Sequence, residues 1–501
     1  MMSEIEHAEP IVADDATIKA ALEDADIPTL VMSLVHLTGD RSLLRGDIKP
    51  VMEFLSSDDG LTDAQRERIR AQALEVLIAH RDNPKPFYVP DNDDIREMLA
   101  FMVGDISDDY IEFLTAELSM HGEDPYAQPE VFKVPETTRA NIKVLVIGAG
   151  MSGLLSAVRL QEAGIPFQVV EKNPDVGGTW FENTYPGCRV DSANHTYSYS
   201  FRPQDWPQHF SGQEVLRQYF ADTADEYQLR DHIAFNTEVT SATFDEDTGM
   251  WRVQVKSPQG KSEIVANAII SAVGQLNRPQ IPDIPGADSF QGPSWHSAEW
   301  QHDVDLTGKR VGVIGTGGSA FQFVPIIAQQ AESVTILQRT PPWIVPNEDY
   351  FKEVPAGKHW LLRHVPFYAK WFRFSMFWRS AEGLLQAVTA QESWHHPEES
   401  VSEDNQVFRE ALLANLQEVL GDRPDLLEKC TPHYPPGAKR ALIDDGKYLQ
   451  TLKRDNVQLL TDGIDAITVN GLRDGAGTEH EFDVLIFATG FKASSFLHPM
   501  K

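Results

Sequence analysis

The chain has 501 residues, a formal net charge of −32 and a pI near 4.8. That length allows several domains and a large core, and the acidic balance excludes nucleic acid or an anionic membrane as a partner held by general electrostatics. Two cysteines, Cys188 and Cys430, provide neither a disulfide framework nor a Cys-x-x-Cys redox pair. The acidic N-terminus has no signal-peptide pattern, and no apolar run is long enough to cross a bilayer, so a cytoplasmic protein without a membrane partner is expected.

Residues 1–140 read as a helical N-terminal extension with a linker. Thr62-x-x-Gln65 forms a capping box, and Ile69, Ala73, Val76 and Leu77 follow on one helical face. Ile95, Met98, Leu99 and Met102 repeat the spacing, as do Ile111, Leu114 and Leu118. No catalytic residue types cluster with them, so these stripes are expected to make core or subunit contacts. His121–Thr138 is polar, carries three prolines and reads as the linker.

A dinucleotide-binding unit begins near Asn141. Ile142 and Val144–Ile147 read as a buried parallel strand that runs into Gly148-x-Gly150-x-x-Gly153, and Leu154, Leu155, Ala157, Val158 and Leu160 mark a helix after it. Gly148 allows the tight turn, Gly150 a close approach of backbone to pyrophosphate, and Gly153 close packing of helix on strand, with the helix N-terminus facing the phosphates. A second strand ends at Glu171, eighteen residues after Gly153, where a carboxylate accepts from a ribose diol. Gly177-Gly178-Thr179-Trp180 and Asn183-x-Tyr185-Pro186-Gly187 follow, ending at Asp191. Thr237–Phe244 and Met250–Val255 flank the turn Asp247-Thr-Gly249 as antiparallel strands, and Ala268–Gly274 is a buried strand.

The pattern then repeats. Arg310–Ile314, Gly315-x-Gly317-Gly318-Ser319-Ala320 and Ser333–Leu337 are again strand, glycine turn with helix, and strand; alanine is a permitted small residue at the third glycine position. Eighteen residues after Ala320 stands neutral Gln338, followed by Arg339. An acid there would repel a 2′-phosphate and an arginine can clamp one, so this unit is expected to prefer NADPH to NADH; a plain surface arginine is the alternative. From about 350 to 436 the pattern turns helical. The aromatic stretch Trp360–Trp378 could lie on a membrane surface, but Arg363, His364 and Arg373 interrupt it, so a buried helical insertion is expected. His395-His396 has no second ligand pair nearby and reads as an exposed loop, with no metal site expected. Val457–Leu460 and Val484–Gly490 return as strands.

Between the two units lies Phe290-x-Gly292-x-x-x-His296-x-x-x-Trp300. Two dinucleotide motifs flanking that string resemble the flavin-dependent type I Baeyer–Villiger monooxygenases. Gly-Gly-Thr-Trp, Tyr-Pro-Gly with Asp191, Gln338-Arg339-Thr340-Pro341 and Lys439-Arg440 fit the same family, from about Asn141 onward. The helical extension is similar to that of the 4-hydroxyacetophenone monooxygenases, the aryl-ketone branch. Gln301 departs from the family, which usually has Pro or Asp after this tryptophan. Family members continue well beyond the Ala-Thr-Gly strand to complete the flavin domain; that continuation is absent from this sequence, so either a fragment or impaired flavin retention and activity is expected.

The resemblance implies an α/β protein with two Rossmann-like domains: FAD-binding over 141–278 and NADP-binding over 279–493, the latter including the helical insertion. Residues 494–501 would begin the return to the FAD domain. FAD is expected on Gly148, Gly150, Gly153, Glu171, Gly178, Thr179, Trp180, Asp191 and Tyr197. NADPH is expected on Gly315, Gly317, Gly318, Ser319, Ala320, Gln322, Arg339, Thr340, Lys439 and Arg440. The implied reaction takes a small-molecule ketone, O₂ and NADPH to an ester through a flavin C4a-peroxide, in a homodimer formed through the N-terminal helices. Arg440 is the implied catalytic cation and Asp191 its orienting partner, where composition alone would leave Lys439-Arg440 a solvated pair. Phe290, Gly292, His296 and Trp300 are implied to form an interdomain linker with a conformational role. A flavin monooxygenase acting on nitrogen or sulfur shares much of this pattern, and a nucleotide-binding interaction protein without activity is a further reading.

Overall fold

A computed structural model describes residues 8–51, 59–104, 106–118, 129–495, 497 and 500. The expected linker over His121–Thr138 and the return segment 494–501 fall partly outside those residues. The chain forms two compact units: Met1–Ala127 with Ser192–Phe210 and Asn347–Phe408, and Gln128–Asp191 with Ser211–Pro346 and Arg409–Lys501.

The first unit is helical. Asp14, Asp26 and Thr62 cap the helices Asp15–Leu22, Ile27–Thr38 and Asp63–Asp82, and the Thr62–Gln65 capping box forms. Ile69, Ala73 and Leu77 are buried on the third helix, and Ile95, Met98, Leu99 and Met102 on Asn92–Val103. The aromatic stretch Trp360–Trp378 is buried, not laid on a surface. It forms Ala356–His364 and Tyr368–Ser380, and Leu361, Tyr368, Trp371 and Phe374 share one core with the N-terminal helices. The polar atoms follow: Trp371 Nε1–H donates to His36 Nε2 over 3.1 Å, and His36 Nδ1 lies 3.1 Å from the Tyr88 carbonyl. The extension and residues 347–408 are thus one folded unit. The rest of the expected insertion, from Arg409, belongs to the other unit, where Leu416, Leu420 and Leu426 join the core of the second sheet. The sequence treated extension and insertion separately because Trp371 and His36, which touch, are 335 positions apart in the chain.

The second unit holds both glycine motifs on two parallel sheets. The first sheet runs Ile233–Ala234, Phe167–Val170, Val144–Ile147, Ala268–Ser271, with Val146 opposite Val169 and Ile270. The second runs Val457–Leu460, Ser333–Leu337, Arg310–Ile314, Val484–Phe487, Ser294–His296. The central strands are buried on both faces, as parallel sheets require, which explains their unbroken Val/Ile/Leu runs. Three antiparallel strands, Glu238–Asp245, Met250–Ser257 and Gly260–Ala266, include the expected pair and a third that the sequence did not reveal.

Candidate functional site

The first strand ends at Ile147, and the helix Met151–Glu162 starts from Gly150, with no side chain capping it. A helix start of that kind is an anion site. A Cβ on Gly153 would sit 1.8 Å from the Gly148 carbonyl oxygen, so only glycine permits this helix to lie on this turn. The Gly-Gly-Thr-Trp segment closes against the turn: Gly177 N–H donates to Ala149 C=O over 3.1 Å, and a Cβ on Gly178 would fall 2.9 Å from Gly150 Cα. The result is a cradle walled by bare backbone, the form a pyrophosphate needs.

Glu171 is 4% exposed, and its carboxylate accepts from Ala149 N–H at 2.7 Å and Asn173 N–H at 2.8 Å. Burial pushes its carboxyl above the ordinary range; the two backbone donors pull the other way. Two fixed acceptor oxygens retain lone pairs for a diol. Trp180 is buried and its carbonyl accepts from Gln213; Thr179 is exposed.

The second turn repeats this geometry. Gly317 starts the helix Gly318–Ile327 without a side-chain cap, Ala320 is fully buried, and Ser319 Oγ lies 3.0 Å from Ser297 Oγ. After the strand Ser333–Leu337, buried Gln338 donates to Lys429 C=O over 2.7 Å, which leaves exposed Arg339 as the charge at the strand's end. Half-buried Thr340 follows. The Lys439 ammonium stands 4.6 Å from the Tyr434 ring centroid, and Tyr434 O–H donates to Pro341 C=O over 3.0 Å, so the Lys439 and Thr340-Pro341 segments are joined. Arg440 Nη2 pairs with Asp191 Oδ2; the arginine side chain is 62% exposed and the aspartate 28%. Both glycine cradles, a fixed acid and an exposed arginine fit two dinucleotides of different charge.

Two expectations change, and Tyr197 gains a local backbone partner. Gln322 does not face the start of its helix: its amide is engaged by Tyr185 and Arg189. Tyr197 belongs to the helical unit, where its N–H donates to Ala193 C=O. The Phe290–Trp300 string is not a linker, because Ser294–His296 is the edge strand of the second sheet, with His296 opposite Phe487. His296 is fully buried; burial pushes its imidazole below the ordinary range, offset in part by the Gly490 backbone. Its Nδ1 accepts from Ala298 N–H at 3.1 Å. Gly292 is pinned by Asp483 C=O, 2.6 Å from where its Cβ would stand, half-buried Phe290 lies beside that glycine, and Trp300 packs on Trp295 and Phe323.

Residues 141–351 match the flavin-binding monooxygenase-like (FMO-like) family. A monooxygenase of Sinorhizobium fredii, itself uncharacterised, is 33% identical over 97% of this chain and 73% of its own. The chain belongs to the flavin-binding monooxygenases, and Baeyer–Villiger monooxygenases are among its relatives. A Baeyer–Villiger monooxygenase of Streptomyces coelicolor is 38% identical over 71% of this chain and 65% of its own, so the chain spans about two thirds of that relative's length. Among solved structures, that of OTEMO in complex with FAD and NADP superposes with a TM-score of 0.60 at 30% identity, covering 70% of this chain and 72% of OTEMO. The expected α/β fold with two Rossmann-like units is borne out.

Proposed function

We propose that the protein oxygenates ketones to esters or lactones with FAD, NADPH and O₂. One observation carries this reading. Two bare-backbone turns stand in one compact unit with unlike neighbours, the buried acid Glu171 at one and the exposed cation Arg339 at the other, together with an arginine held by a carboxylate, Arg440 on Asp191. Glu171 would hold the FAD ribose, and Gly148, Gly150 and Gly178 would admit its pyrophosphate. Arg339, Thr340 and Lys439 would hold the 2′-phosphate of NADPH. When bound, FAD reduced by NADPH supplies the activation of O₂. Arg440 would supply a positive charge where negative charge gathers on the reacting oxygen, and Asp191 would orient its planar fork.

The helical extension supports an aryl ketone such as 4-hydroxyacetophenone as substrate. The test is a panel of aryl, cyclic and linear ketones supplied with NADPH to the purified FAD-loaded chain, with coenzyme consumption followed and products identified by mass. Ester from an aryl ketone is expected. Consumption stimulated only by amines or sulfides, with N- or S-oxide products, would refute the reading.

A further inference from the structure

Asp191 stands at the end of a loop whose anchorage is visible. On one side Arg189 forms an antiparallel bridge with Gly212, Val190 N–H donates to Ser211 C=O over 3.2 Å, and Gln213 N–H donates to Cys188 C=O over 2.8 Å. On the other side stands Gln322, one turn into the second nucleotide helix. Its Oε1 accepts from Tyr185 O–H at 2.8 Å and from Arg189 N–H at 3.2 Å, and its Nε2 donates to Arg189 C=O over 3.0 Å. The loop also lies flat on that helix. A Cβ on Gly187 would meet Gln322 C=O at 2.8 Å and Ile326 Cδ1 at 2.6 Å, at a φ of +77°.

We infer that Gln322 is a positioning residue: it docks the Tyr185–Arg189 loop on the second nucleotide helix, and thereby sets where Asp191 holds Arg440. The inference rests on the reading that Arg440 is the cation of the oxygenation. The physical argument is rigidity. An amide making three hydrogen bonds to one loop fixes both the loop's distance and its rotation, because its acceptor and donor ends bind the N–H and the C=O of one residue, Arg189, and so hold the two peptides that flank it. Asp191 follows two residues later, so slack at Arg189 becomes displacement of the Arg440 guanidinium, which pairs with Asp191 and is 62% exposed. A loop loosened at this point would still bind both nucleotides but would not keep the cation where the reacting oxygen needs it.

Three variants of the full, FAD-loaded chain separate the contacts. Gln322→Leu removes all three hydrogen bonds, Tyr185→Phe removes one, and Gln322→Glu keeps the acceptors but cannot donate to Arg189 C=O. Amide hydrogen exchange over residues 187–191, without substrate, should be about tenfold faster in Gln322→Leu and a few-fold faster in Tyr185→Phe. Tyr185→Phe should add nothing in the Gln322→Leu background. NADP⁺ affinity should change by less than about twofold, while ester formed per NADPH consumed falls about tenfold and hydrogen peroxide takes its place.

Unchanged exchange in Gln322→Leu overturns the inference. So does a tenfold loss of NADP⁺ affinity with ester yield per NADPH intact, which would make Gln322 a nucleotide ligand. Faster exchange with undiminished ester yield overturns the link to Arg440. If Gln322→Leu does not fold, Gln322→Glu and Tyr185→Phe carry the same comparison. A parent protein that makes no ester would sink the reaction assigned above, not the docking, which the exchange arm decides by itself.

Discussion

Arg440→Ala separates folding from chemistry by magnitude. The Asp191–Arg440 pair lies largely in water, with 62% of the arginine side chain exposed, and a screened pair of that kind contributes at most about 1 kcal/mol to stability. Removing a preorganised positive group from the place where negative charge develops costs about 3–4 kcal/mol, or roughly a hundred- to thousand-fold in rate. The variant should therefore keep its melting temperature and FAD content within a few degrees and a few percent, on the order of what a surface substitution does, while ester formation nearly vanishes. Arg440→Lys retains the charge but loses the planar fork that Asp191 holds, so it should recover only a small part of the rate. Ester formation and NADPH-driven flavin reduction are measured separately, since slower reduction alone would assign Arg440 to seating the nicotinamide. Ester at near the parent rate would refute the reasoning. So would a large drop in melting temperature with loss of FAD, which would make the pair a structural tie.

Arg339→Ala should raise KM for NADPH by tenfold or more, on the order of one lost phosphate contact, and leave NADH nearly untouched; equal effects on both coenzymes would remove Arg339 from the 2′-phosphate. Gly153→Ala must open the helix–turn contact from 1.8 Å to the 3.0 Å that real contacts respect. That costs about 1–3 kcal/mol, so melting temperature and FAD retention should fall together, and unchanged FAD affinity would contradict the role of this close approach. Burial, reinforced by Asp445, raises the Asp444 carboxyl to about 7. Its folded value lies above the unfolded one, so no penalty exists below pH ~4, and stability is lost as pH rises towards 7, by up to roughly 4 kcal/mol. Asp444→Asn keeps an acceptor for Tyr448 N–H and should raise the melting temperature at pH 8 but not at pH 4; an equal gain at both would show that the charge is not the cause.

Local features were legible in the sequence, and long-range partners were not. Gly148, Gly150 and Gly153 announce themselves because a strand–turn–helix constrains consecutive residues, and the repeat at Gly315 and Gly317 obeys the same constraint. The capping box at Thr62 and the turn at Asp247–Gly249 are local in the same sense. Ser294–His296 is three residues long, and its pairing with Val484–Phe487 spans about 190 positions, so nothing nearby marks it as a strand. The Trp360–Trp378 stretch shows its apolar character in sequence, but not that Trp371 finds His36. Gln322 looks like a nucleotide contact because it lies early on the second helix; only the folded chain shows its amide turned towards Tyr185 and Arg189. The strand Gly260–Ala266 escaped because most of its side chains are exposed and polar, which hides the alternation.

Insertion of an oxygen atom from O₂ beside a ketone carbonyl is the reaction proposed for this protein. Turnover of 4-hydroxyacetophenone, or of whichever ketone the panel selects, under ¹⁸O₂ with FAD and NADPH tests it directly. The account predicts an ester carrying one ¹⁸O atom, formed in step with NADPH oxidation and absent in Arg440→Ala. NADPH oxidation that yields only hydrogen peroxide, with the ketone recovered unchanged and unlabelled, would contradict it.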